Sequence, residues 1–424
     1  MHRSNPWVLG TIAAGLALAV APLAQPEGAG SGSATVIRRV RVFDGERLLP
    51  VQDVSVAGGK ITGLGRSLKA PPAAVEIDGD GATLLPGLID AHTHDWGDSP
   101  RQALRFGVTT ELNMGLITPY LAELRRAEAA GTAGDRASVL SAGNVVTPPK
   151  GHGTEYGVEV PTLAGPADAQ AFVDARLAEG SDYVKIILED GRTCHQEFTV
   201  LTDAELSAAV AAAHRRGKLA VVHALTEPFA RQAIAAGADG IAHLFADAPP
   251  TPELVAQMRR RHAFAITTLI PILGTLGQPS GAALADDPRL APFLSPAALT
   301  RLRAPDTLKC DGNASTALAA AKALHAAGVP LLAGTDSAVP GSWNGASLHA
   351  ELALLVRAGL TPTEALAAAT SVPARAFRLA DRGRITPGLR ADLLLVRGDP
   401  TRDVTATRDI VGVWKAGVRI GRAL

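Results

Sequence analysis

His92-Thr93-His94 sets two imidazoles two residues apart. An extended chain turns residues i and i+2 to the same side, about 7 Å apart, so such a pair can close on one divalent cation. Four more polar residues stand where an apolar run has no need of them. Lys185 lies inside Tyr183-Val184-Lys185-Ile186-Ile187, His223 ends Val221-Val222-His223, His243 ends Ile241-Ala242-His243, and Asp336 ends Leu331-Leu332-Ala333-Gly334-Thr335-Asp336. Each has an ordinary reading on its own: a strand-end histidine often only hydrogen-bonds, a strand lysine reaches for solvent, and an aspartate caps a turn. Six residues in the order His-x-His, Lys, His, His, Asp, on apolar runs, point instead to one shared metal centre.

A scaffold must bring those run ends together. Apolar runs at 82–85 continuing into 89–94, 109–113, 138–142, 183–188, 220–223, 240–243, 263–269 and 330–336 alternate with helix-period stretches such as 203–216 and 317–327. Strands alternating with helices predict an α/β protein with a (β/α)8 TIM barrel, whose C-terminal strand ends meet at one mouth. No glycine-rich phosphate turn opens the first strand, which argues against an open doubly wound sheet. Residues 34–82 and those after 382 carry short β runs punctuated by Gly turns. They predict a small composite β-sandwich domain built from both chain ends, 34–82 plus 383–424, around a metal-dependent barrel at 83–382. The length of 424 residues suits a barrel of about 250 residues plus a smaller domain.

In these motifs the chain resembles the amidohydrolase superfamily, specifically its imidazolonepropionase-like group. The likeness lies in Pro86-Gly87-Leu88-Ile89-Asp90-Ala91-His92-Thr93-His94, Gly107-Val108-Thr109-Thr110, 183–186, 240–243 and Gly334-Thr335-Asp336. It continues through Leu360-Thr361-Pro362-Thr363-Glu364-Ala365-Leu366, 370–376 and 388–393. The resemblance implies a (β/α)8 barrel with a composite β-sandwich and a metal centre at the barrel mouth. Its strand-four lysine is similar to that of two-metal members in which CO2 carboxylates the amine. Carried over by position, His92 and His94 with Asp336 would hold the more buried ion, Lys185 as a carbamate would bridge the pair, and His223 and His243 would hold the second. Electrostatics favour the carbamate, because a bare ammonium would repel two cations and be costly to bury. With this many histidines Zn2+ is the expected metal, two per chain, other divalent ions remaining open.

The resemblance implies a metal-dependent amidohydrolase that cleaves a C–N bond in an amide, cyclic amide or dipeptide-like small molecule. A metal-activated hydroxide attacks, with Asp336 as general base and then acid; a Xaa-Pro dipeptidase-like activity is the leading specific reading. The same centre could hydrolyse a lactone, carbamate or phosphotriester. A mononuclear zinc deaminase would need an acid near strand five, for which Glu227 is available, but Lys185 argues against it. On the loops, His152 and Tyr156 of Gly151-His152-Gly153-Thr154-Glu155-Tyr156-Gly157 are candidate substrate contacts that could equally be packing residues. Arg192 either meets a substrate carboxylate or forms a solvated salt bridge. Residues 271–314, rich in Gly, Pro and Ala, form a candidate lid. His349 and Glu351 are expected to pack or face solvent, and His214, His262 and His325 to be structural.

Composition excludes other classes. Apolar residues are 47% and charged residues 19%, so the chain has material for a large core, and 41 basic against 41 acidic residues remove any global attraction to nucleic acid. Cys194 and Cys310 are too few for a disulfide scaffold and could form one bridge; adjacent Cys194 and His195 make a poor nucleophilic pair. The uncharged run 8–24 after His2 and Arg3, followed by a polar stretch to residue 33, predicts a signal for export to a periplasmic or secreted location. Left uncleaved, it would be a membrane anchor. The mature body is expected to have no membrane contact, and a homo-oligomer is left open.

Overall fold

The computed structural model describes residues 34–115 and 117–423; the leader expected at 1–33 lies outside them. Five strands come first: β1 (Thr35–Phe43), β2 (Leu48–Ala57), β3 (Lys60–Gly65), β4 (Val75–Asp78) and β5 (Ala82–Pro86). Eight more follow among helices: β6 (Leu88–Thr93), β7 (Val108–Asn113), β8 (Ser138–Ser141), β9 (Val184–Ile187), β10 (Ala220–His223), β11 (Gly240–Ala242), β12 (Phe264–Ile266) and β13 (Leu331–Leu332). The chain closes with β14 (Leu393–Arg397), β15 (Ile410–Lys415) and β16 (Val418–Ile420).

The two chain ends share one sheet, in the order β16-β15-β14-β5-β1-β2-β3 with β4 beside β1. Antiparallel pairing of β14 with β5, Leu393 opposite Pro86, makes the join. Ile37, Val54, Ile61, Leu84, Leu395 and Trp414 form its buried face, each such side chain contributing about 1.5–3 kcal/mol of burial. The expected continuous strand over 82–94 is corrected here: it breaks at Gly87, where β5 leaves for the terminal sheet and β6 enters the parallel one. The packed side chain of Thr109 imposes glycine there, since a Cβ at Gly87 would sit 2.3 Å from Thr109 Oγ1.

β6-β7-β8 and β9 to β13 are two parallel sheets, and with their helices they make a TIM-barrel-like α/β fold. Single parallel bridges join their margins, Val146 to Ile186 and Thr93 to Ser337. Ile89, Leu112, Val221, Ala242, Phe264, Ile266 and Leu332 pack in one inner cluster, while Val184, Ile186, Val222 and Ile241, of the opposite parity, pack outward against helices. Helix Asp203–Arg215 shows how local chemistry places such a layer. Thr202 and Glu205 form a reciprocal capping box that starts it, and Leu206, Ala209 and Val210 bury its inner face. The stretch expected to be a lid contains three short helices, Leu269–Thr275, Gly281–Ala285 and Pro296–Arg303, seated by buried Leu273, Leu284 and Leu302. A disulfide from Cys194 to Cys310 ties this stretch to the loop after β9.

Candidate metal centre

Ile89 and Ala91 on β6 face the inner cluster, so strict alternation would turn His92 and His94 away from it. Pairing with β7 slips instead: Asp90 lies opposite Glu111 but Thr93 opposite Asn113, which gives β6 one extra residue. Such a bulge re-aims the side chains beyond it. It brings the Nε2 atoms of His92 and His94 to 3.2 and 3.1 Å from Asp336 Oδ1. Asp336 is drawn in by its own backbone, whose N–H donates to the His92 carbonyl at 2.8 Å. Gly334 permits that approach, for a Cβ there would lie 2.8 Å from His92 Cβ and 2.6 Å from Ile266 Cγ2. Buried Asp90 ties the two strands further, accepting from the Thr335 N–H at 3.0 Å and the Thr335 hydroxyl at 2.7 Å.

β11, β12 and β13 are shorter than their apolar runs because the chain turns early. His243, Thr268 and Asp336 have φ of 74°, 42° and 53°, the left-handed region that non-glycine residues rarely occupy and that concentrates at functional sites. The turn sets the His243 ring 4.7 Å from that of His92 and 4.5 Å from that of His223. Ligand atoms of His92, His243 and Asp336 all lie within 4.8 Å of one another. The Gly115 carbonyl, 3.2 Å from His94 Nδ1, can only accept and so puts the proton on Nδ1; His243 Nδ1 lies 2.8 Å from Thr268 Oγ1, a hydroxyl able to accept from it when Nε2 ligates. Thr268 is held in turn through buried Glu351, which accepts from the Thr267 hydroxyl and the backbone N–H groups of Leu269 and Ile270 at 2.5, 2.9 and 3.1 Å.

Burial decides the protonation states. It lowers His92 to about 3 and His223 to about 4, and Lys185 to about 7. Burial opposes ionisation of Asp336 too, but the imidazoles of His92, His94 and His243 hold it well below the usual carboxylate range. Neutral imidazoles beside an ionised carboxylate are the forms that bind metal. Both ring nitrogens of His92 and the Nε2 of His223 are buried with no hydrogen-bond partner. Native interiors seldom leave such groups unpaired, and a divalent cation satisfies this donor set. His92, His94, His243 and Asp336 are therefore brought together, with His223 beside them. Lys185 is near enough for its charge to depress His92, His223 and His243.

The loop residues divide. The His152 ring stands 5.1 Å from that of His223, with its Nδ1 2.6 Å from Glu155 Oε1. Tyr156 lies edge-on to His152 at 6.0 Å and is 63% exposed. Arg192 is not gathered in: its side chain is 83% exposed and lies 3.6 Å from Asp190. Cys194 is bonded to Cys310, so it forms no thiol pair with His195. Glu227, the acid a deaminase would need, is spent on the next loop, accepting from Thr251 Oγ1 at 2.6 Å. His349 and Glu351 are both fully buried, which decides for packing over solvent. Sequence reasoning missed Thr268 and Glu189. The latter is 3% exposed and sits four residues past Lys185, a spacing that could have flagged it.

A family model described as "Amidohydrolase family" matches residues 83–420. The imidazolonepropionase of Deinococcus radiodurans is 30% identical over 397 residues, covering 86% of this chain and 91% of that protein. That of Streptomyces coelicolor is 28% identical over 417 residues, covering the same shares. The crystal structure of a Xaa-Pro dipeptidase with bound methionine in the active site has the same fold, with a TM-score of 0.73 at 22% identity over 91% of this chain and 99% of that one. The relatives correct the exported placement. That reading rested on an apolar run outside the described residues, whereas the proteins matching along nearly their whole length are imidazolonepropionases. Among the described residues no helix is long and apolar enough to cross a membrane.

Proposed function

Because the chain belongs to the amidohydrolase family and is a hydrolase of carbon–nitrogen bonds, we propose that it cleaves an amide, a cyclic amide or a dipeptide-like small molecule with two divalent cations, zinc first among them. The observation that carries this reading is the convergence of His92, His243 and Asp336, ligand atoms mutually within 4.8 Å, with unpartnered His92 nitrogens at its centre. His92, His94 and Asp336 would hold one cation, and His223 and His243 the other. Bound divalent ions would lower the pKa of water and polarise the scissile carbonyl.

The chain's own groups supply the rest. Asp336 is held ionised by its imidazole neighbours, so it can take a proton from the attacking water and return it to the leaving nitrogen. Lys185, pushed down to about 7, keeps a substantial fraction of free amine at neutral pH. That amine adds to CO2, forming an N–C bond and releasing one proton, and the product is an anion suited to bridge two cations. His152, whose ring stands 5.1 Å from that of His223, and Tyr156 beside it would orient the substrate from the loop after β8. Bridges from Val146 to Ile186 and from Thr93 to Ser337 support reading the two parallel sheets as one closed barrel, with β5 assigned to the small domain at the chain ends.

Metal content per chain, measured after expression with and without added bicarbonate, tests the reading. Two equivalents and CO2-dependent activity are expected. One equivalent, with activity indifferent to Lys185→Ala, overturns it. A panel of dipeptides, N-acyl amino acids, hydantoin-like rings and aryl esters then separates the substrate classes, with turnover of a C–N substrate expected to exceed that of the esters.

A further inference from the structure

Glu189 follows β9 by two residues, in the loop that the Cys194–Cys310 bridge holds. Its carboxylate is 3% exposed, and its two oxygens have different fates. Oε1 accepts the Gly191 N–H at 2.6 Å, which fixes the side chain in a tight local turn. Oε2 has no hydrogen-bond partner, and it faces His223 Nε2 at 3.6 Å, itself unpartnered and buried. A carboxylate and an imidazole that only wished to pair would close to about 2.7–2.9 Å. Two ligand atoms on one tetrahedral cation, each about 2.0–2.1 Å from it, stand about 3.3–3.4 Å apart. The observed gap is near the second spacing and well outside the first.

We propose that Glu189 is a further metal ligand, giving Oε2 to the cation that His223 holds. The proposal rests on the two-cation reading above and extends it, since none of the six ligands read from the sequence includes this residue. Charge supports it. With Asp336 and a carbamate at Lys185 as the other anions, Glu189 brings a third negative charge against two divalent ions, which reduces the excess positive charge buried at the mouth. The Gly191 bond already presents the free oxygen toward His223.

The test is metal binding by the full chain, stripped with chelator and reconstituted with Zn2+ in bicarbonate buffer, read by competition with a chromophoric chelator. Wild type is expected to take two equivalents. Glu189→Gln keeps an oxygen for Gly191 but offers the cation an amide, so the second equivalent should bind about tenfold more weakly or worse while the first is unchanged. Loaded with Co2+, the variant should show altered visible d–d absorption for one site only. Two equivalents at wild-type affinity in Glu189→Gln overturn the assignment and leave the two-cation reading standing. A wild type that takes a single equivalent overturns that reading, and this inference with it. Should Glu189→Gln fail to fold, Glu189→Asp, whose shorter reach also withdraws Oε2, is held to the same tenfold criterion.

Discussion

Thr268→Val removes one hydroxyl oxygen from the centre and almost no volume. In the folded chain that oxygen lies 2.8 Å from His243 Nδ1. With Nε2 committed to a cation, Nδ1 carries the proton and donates. Valine is as branched as threonine, so the left-handed backbone at φ 42° is equally strained in both and cancels from the comparison. What remains is a buried ring N–H, on a residue 4% exposed, with nothing to accept it. An unsatisfied donor of this kind costs about 1–3 kcal/mol. If that cost falls on the metal-bound state, which needs the Nδ1–H tautomer, it equals about a 5- to 150-fold loss of affinity, at 1.4 kcal/mol per factor of ten. Loss of a partner to a metal-ligating histidine typically costs about 10- to 100-fold, so two independent routes give the same range. Chelator competition measures the affinity, and thermal unfolding of the stripped protein measures the cost paid without metal. Zinc affinity within twofold of wild type would refute the tautomer argument. So would a loss of stability in the stripped protein with no change in affinity.

Lys185→Ala should abolish any response of activity to bicarbonate and lower the metal content to one equivalent; full bicarbonate dependence in the variant would show that CO2 acts elsewhere. Metal-free His92→Asn should gain stability relative to metal-free wild type as pH falls from about 6.5 toward 4. Folding lowers the His92 pKa to about 3 by burial, so in that window the unfolded wild type binds a proton that the folded state refuses, and wild-type stability falls with pH. Urea unfolding at pH 7, 5.5 and 4.5 measures the difference, and a constant one refutes the assignment. Breaking the Cys194–Cys310 bridge, whose cysteines are 116 residues apart, should cost at most about 4–5 kcal/mol. For a chain of 424 residues that is a drop of about 4–5 °C in Tm, read with and without reductant.

The ligand types and their order were legible in the sequence because each interrupts an apolar run, and a polar residue in a buried strand has to be accounted for. Why His92 and His94 face Asp336 was not legible. The slip that turns them is a pairing between β6 and β7, and nothing local to His92-Thr93-His94 encodes it. Strand lengths failed for a related reason. Periodicity reads hydrophobicity, and residues 267–269 and 333–336 remain mostly buried after the strands end. Of the two readings the sequence left for Arg192, substrate contact or solvated salt bridge, the structure shows the second: Gly191 (φ 78°) and His195 (φ 55°) bend that loop, and the guanidinium meets Asp190.

The centre is built where local preferences lose, and buried carboxylates make up the loss. His243, Thr268 and Asp336 occupy left-handed backbone just past the ends of three successive strands, at a cost of order 1–3 kcal/mol each. Short strands also forfeit ladder hydrogen bonds at the same place. Asp90 binds the turn at Thr335, and Glu351 binds the turn at Thr267 to Ile270. Both are fully buried, and burial raises them to about 8 and about 7, so neither is there for its charge. Each instead gathers N–H and O–H groups that the interrupted strands left free. Their roles thereby separate from those of the ligands. Replacing Asp90 or Glu351 should cost stability in the metal-free chain as well as affinity, because the turns need them before any cation arrives. Replacing His92, whose nitrogens lack a hydrogen-bond partner and meet only Asp336 across 3.2 Å, should harm the loaded chain more than the metal-free one.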